Sequence, residues 1–110
     1  MLRLGANNTI QLTRGDTAYL NVTITNETDS SVYELQDEDT LTLTVKKSTK
    51  DTEFSFQKKV AGSLTIKIEP NDTKDLAVGK YKYDVQLNTA TGDVFTIIAA
   101  TVFEVLEEVT

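Results

Sequence analysis

A chain of 110 residues, 39% hydrophobic and 25% charged, is the size of one domain spanning residues 1–110, able to enclose one core and too short for two. Its net charge of −6 argues against a nucleic-acid partner, whose phosphates need Lys and Arg in surplus, and favours solubility. Cys and His are both absent, which excludes disulfides, thiol nucleophiles, Ser-His and Cys-His relays and nearly every zinc or iron site. No apolar run approaches the roughly twenty residues that span a bilayer, and MLRLGANN carries no signal-peptide core, so neither a membrane nor export is expected.

After a polar lead, Asn8 to Thr13 reads as a first strand with Ile10 and Leu12 inward, and Arg14-Gly15-Asp16 as the turn of a hairpin. Thr17 to Thr25 alternates, with Ala18, Leu20, Val22 and Ile24 in the core and Tyr19 the one large apolar residue outside. Asn26 to Ser31 is a polar connection, and Val32 to Glu38 is a brief edge strand or none. Asp39 to Lys47 alternates again, with Leu41, Leu43 and Val45 inward. Glu53 to Val60 follows with Phe54 and Phe56 on one face. Ser63 to Leu87 is the most informative stretch. Leu64, Ile66 and Ile68 face inward, then Pro70 and Asp72 suit the start of a helical turn that tucks Leu76 under the sheets. Tyr81, Tyr83, Val85 and Leu87 form the next inward set. Ala90-Thr91-Gly92-Asp93 makes a hairpin loop into a last strand, Val94 to Leu106, apolar on both faces, with Ala99-Ala100 as a bulge or sheet-switching bend.

Strands of this length with turn signals every eight to twelve residues predict an all-β, immunoglobulin-like β-sandwich of about seven antiparallel strands. One short helical turn falls between the fifth and sixth of them. Pro70-Asn71-Asp72-Thr73, through Ala77 and Gly79 to Tyr81-Lys82-Tyr83, looks like the corner that leads into the sixth strand of such domains. Tyr81 stands where the tyrosine corner falls and Tyr83 where antibody domains carry a cysteine; no Cys or Trp accompanies them, so this is not an antibody-type domain. The wider pattern GDTAYLNVTIT, DTLTLTVKK, IKIEPNDT, GKYKYDVQL and a Gly-Asp hairpin into VFTII resembles the small Ig-like domains of tailed bacteriophages of Gram-positive bacteria, best known at the N-terminus of baseplate upper proteins. The resemblance covers Arg14 to Val109. It implies a non-enzymatic structural or assembly module of a phage particle, tail or baseplate associated, located in a virion assembled in the host cytoplasm. It implies no catalytic residue, cofactor or metal, and protein partners within a virion assembly, either another virion protein or a second copy of the chain. The alternative is a bacterial surface module of adhesin type that binds a protein or glycan.

Both faces of the last strand are more apolar than one core can accommodate, so Phe95, Ile97, Phe103 and Val105, together with Tyr19, are the expected interface. Arg14-Gly15-Asp16 spells the integrin tripeptide and reads as turn chemistry. Four Asn-X-Thr patterns begin at Asn7, Asn21, Asn26 and Asn71 and read as chance products of a Thr-rich chain. Asp37-Glu38-Asp39 is the densest acidic group, a solvated turn without the alternation of a calcium loop. Lys46, Lys47, Lys50, Lys58, Lys59 and Lys67 come from three successive strands expected to be neighbours. They guard an edge or complement a partner's charge.

Overall fold

The computed structural model describes the backbone of residues 2–4 and, with side chains, residues 8–25 and 31–109. The elements are β1 (Leu2–Leu4), β2 (Ile10–Thr13), β3 (Ala18–Asn21), β4 (Thr40–Lys46), β5 (Phe56–Ala61), β6 (Thr65–Ile68), α1 (Pro70–Thr73), β7 (Gly79–Asn88) and β8 (Val94–Leu106). A six-stranded sheet runs β1-β2-β8-β7-β4-β5, and β3 and β6 form a second sheet. β1 is a strand beyond the expected seven, so the helical turn falls between the sixth and seventh.

Three expectations need correction. β2 pairs with β8 in parallel, Ile10 opposite Phe103 and Thr13 opposite Leu106, so the larger sheet is mixed. Arg14-Gly15-Asp16 closes no hairpin, because β2 belongs to the six-stranded sheet and β3 to the two-stranded one; the turn carries the chain between sheets. β6, with Lys67, pairs with β3 and not with β5, which separates Lys67 from the other lysines. Alternation reports which face of a strand is buried and is silent on which strand lies beside it.

The alternating residues do form one core. Ile10, Leu12, Ala18, Leu20, Val22, Ile24, Leu41, Leu43, Val45, Ile66, Ile68, Tyr81, Tyr83, Val85 and Leu87 are buried, joined by Phe56, Phe103 and Val105. Phe103 sits at its centre, edge to face with Phe56 at 5.7 Å and with Tyr83 at 6.1 Å between ring centroids. Leu76, below the helical turn, packs against this cluster as expected.

The turn itself is held by Asp72, whose carboxylate accepts the Glu69 backbone N–H at 2.7 Å. The same carboxylate meets Lys58 Nζ at 3.1 Å. Lys58 lies opposite Leu43 on the core side of the edge strand β5, so its ion pair with Asp72 ties that strand to the helical turn that follows β6. Tyr81 Oη donates to the Ala77 carbonyl at 2.7 Å, the bond expected of a corner tyrosine, and Gly79 between them adopts φ +150°, where a side chain is disfavoured. Tyr83 Oη donates to the Asn8 carbonyl, and burial pushes its phenol up to about 12.

Candidate functional site

β8 keeps to one sheet along its whole length. Its pairing with β7 slips twice: Tyr83 opposes Thr101, Val85 opposes Ile98 and Gln86 opposes Thr96, which leaves extra residues at Ala99-Ala100 and at Ile97. The bulge expected at Ala99-Ala100 is therefore present and the sheet switch is not. Below the bulge β8 lies between β7 and β2; above it, among the described residues, only β7 pairs with it.

This division sorts the expected interface residues. Phe103 and Val105 are fully buried, opposite Tyr81 and Gly79, and cannot meet a partner while the core is intact. Phe95 is 52% exposed although it lies opposite the core residue Leu87, because it stands at the open edge; its neighbour Val94 is 59% exposed and Ile97 half-buried. From Val94 to Ala100 no residue is charged. Tyr19 projects from the outer face of the other sheet, where Lys67 Nζ lies 5.8 Å from its ring centre, so it and Phe95 belong to different sheets.

The acidic run Asp37-Glu38-Asp39 is not uniformly solvated. Asp39 is buried, and its carboxylate accepts from Tyr33 Oη at 2.6 Å, the Gln36 N–H at 3.0 Å and the Ala90 N–H at 3.3 Å. These donors, the Tyr33 hydroxyl foremost, hold its carboxyl below its ordinary range, and the same bond raises the Tyr33 phenol. Asp39 thus staples the loop before β4 to the β7–β8 hairpin, a structural duty for its carboxylate. Its backbone carbonyl also accepts the Gly62 N–H at 2.9 Å. Among the described residues no acidic group is arranged to hold a metal ion, and no helix is long and apolar enough to cross a membrane.

Arg14 is likewise committed. Its Nη2 meets Glu108 Oε1 at 2.6 Å, its Nε lies 3.2 Å from both Glu108 oxygens, and its Nη1 donates to the Leu76 carbonyl at 3.2 Å. The bond lowers the Glu108 carboxyl and raises the Arg14 guanidinium. Thr73, fully buried, accepts the Gly15 N–H at 2.8 Å through its hydroxyl. The tripeptide is therefore docked on α1, and the Asn71 pattern has its threonine buried. Asn21 accepts from the Thr65 hydroxyl; Asn7 and Asn26 lie outside the described residues.

A feature that alternation does not reveal lies on the outer face of the larger sheet. An open groove of about 410 Å³ is floored by β4, β7 and β8 and flanked by β5 and the 47–55 loop. Gln57, Thr44 and Asp84 stand directly opposite one another in register, a polar row across three strands, and Gln57 Nε2 donates to Thr44 Oγ1 at 2.9 Å. Gln86 flanks this row on one side, Lys46 and Lys82 on the other, and Ala100 leaves the β8 side low. Phe54, expected on one face with Phe56, instead precedes β5 and lines the groove, 53% exposed. Partial burial raises the Asp84 carboxyl, an effect that the nearby Lys46 opposes.

No protein-family description, curated protein or solved structure matches the chain.

Proposed function

We propose that this chain is an Ig-like β-sandwich that serves as a non-enzymatic assembly module of a phage particle, associated with tail or baseplate, with another virion protein or a second copy of itself as partner. The immunoglobulin-like reading is supported by the ladder β2-β8-β7-β4-β5 facing the pair β3-β6, and by the Tyr81 bond at the corner into β7. The assembly role rests chiefly on one observation. Along the upper half of β8 a seven-residue uncharged stretch, Val94 to Ala100, exposes Val94 and Phe95 beside an edge that no described strand pairs with, a surface suited to adding a strand from a neighbour. The virion setting rests on the sequence pattern from Arg14 to Val109.

Phage particles from a lysate that contains the protein, purified by density and digested for mass spectrometry, test the reading. The chain is expected in intact tailed particles at a fixed ratio to other tail proteins. Its recovery only from cell-surface fractions would replace the proposal with the adhesin-type alternative.

A further inference from the structure

We propose that the groove beneath Phe54 is a saccharide-binding site, a function beyond the assembly role and independent of it. Gln57, Thr44 and Asp84 share one row, and neighbouring strands lie roughly 4.8 Å apart, so the row spans about 10 Å, room for a sugar ring laid across two strands. The row is chemically mixed. The threonine hydroxyl and the glutamine amide both donate and accept, Asp84 accepts, and Lys46 and Lys82 donate. Sugar hydroxyls also donate and accept, and they meet such a set from several directions at once. One face of a pyranose is lined by C–H groups and packs against an aromatic ring; Phe54 supplies that ring, held in the open although its sequence neighbour Phe56 is in the core.

Other ligand classes fit less well. A phosphate-bearing ligand would meet Asp84 in the middle of the floor, and an apolar ligand would bury the row without replacing its water hydrogen bonds. No hydrogen bond from the described residues reaches the Asp84 carboxylate, although it is partly buried, so a ligand hydroxyl would supply a donor that the fold does not. The volume lies within the range of sites that hold small ligands, with a few placed polar groups beside an aromatic surface.

The test is a titration of the full chain, labelled with nitrogen-15, with the methyl glycosides of glucose, galactose, rhamnose and N-acetylglucosamine, each taken to tens of millimolar. At least one is expected to shift the amides of Thr44, Gln57, Asp84 and Gln86 along a saturating curve. Phe54→Ala should weaken that binding at least tenfold with an unchanged melting temperature, because the ring is exposed; Phe54→Tyr should keep it, and Asp84→Asn should weaken it. If none of the four glycosides moves these amides, or if Phe54→Ala binds as wild type does, the groove is not a saccharide site. Neither result bears on the virion experiment, which reads particle composition alone.

Discussion

Replacing Tyr81 separates the two contributions of the corner. Tyr81→Phe keeps the ring and removes only the 2.7 Å bond to the Ala77 carbonyl. Ala77 is exposed, so water can satisfy the carbonyl in the variant, and the cost is that of one net hydrogen bond, about 1 kcal/mol. For a domain of this size that lowers the melting temperature by about 4 °C. Tyr81→Ala also empties a core position that is 4% exposed in the wild type, for which about 3–5 kcal/mol is expected. Urea unfolding followed by circular dichroism measures both, and the slope against urea should not change, since the surface exposed on unfolding is nearly the same. Equal midpoints for wild type and Tyr81→Phe would mean that the bond contributes nothing. A Tyr81→Ala loss no larger than the Phe loss would refute the burial of the ring.

Gly62 has φ +65°, and a Cβ there would lie 3.2 Å from the Asp37 carbonyl oxygen, so Gly62→Ala should cost at least about 1–2 kcal/mol, read from its denaturant midpoint. Phe103→Asp should fail to fold, because it buries a carboxylate without a partner, while Phe95→Asp should keep the wild-type melting temperature and reduce any concentration-dependent association seen by light scattering. Asp39 and Glu108 both titrate below their ordinary range in the fold. Their contribution to stability is therefore complete above the unfolded carboxylate value of about 4 and is lost as pH falls through the lower folded values. Asp84 has the opposite sign, since its raised folded value favours folding when it is protonated. Asp39→Asn should therefore lower stability at neutral pH and flatten the acid limb of a melting-temperature profile; an acid limb as steep as wild type would show that the Tyr33 and Ala90 bonds do not act through the charge.

Much of the core was legible because period-two alternation is a local signal that the pleat converts directly into a buried face. The sets Leu41, Leu43, Val45 and Tyr81, Tyr83, Val85, Leu87 went inward on that basis alone. What failed was non-local. Nothing within β2 or β8 announces that they run parallel, and the segment that holds β1 gives too short a pattern to count. The apolar character of β8 on both sides points Phe103 and Val105 to an interface; only their register with Tyr81 and Gly79 places them in the core. Asp39 looked like its neighbours Asp37 and Glu38, and its burial depends on Tyr33, Gln36 and Ala90 converging on it, the last 51 residues away. The groove row is built the same way, since Gln57, Thr44 and Asp84 acquire a common site only through strand pairing. Phe54 offered the one local hint, an aromatic beside a turn, and alternation with Phe56 directed it to the wrong place.

The two borders of the β8-β7-β4-β5 ladder are treated differently by the fold, and the difference bears on assembly. At β5, Lys58 faces the core side and is tied to Asp72, and Lys59 faces outward, so an incoming strand would have to desolvate charge on both faces. At the upper half of β8 no charge stands guard, and among the described residues the two slips in register at Ile97 and Ala99-Ala100 are what blunts the edge. A bulge interrupts the regular spacing of backbone donors and acceptors without adding repulsion. It therefore shortens the strand that can be added and leaves the approach itself open. The regular stretch that remains, Val94 to Thr96, is also where the largest exposed side chains of the strand stand. An edge shortened by bulges but left uncharged and apolar at its tip favours a brief, directed contact over indefinite sheet growth, as the proposed assembly role would require.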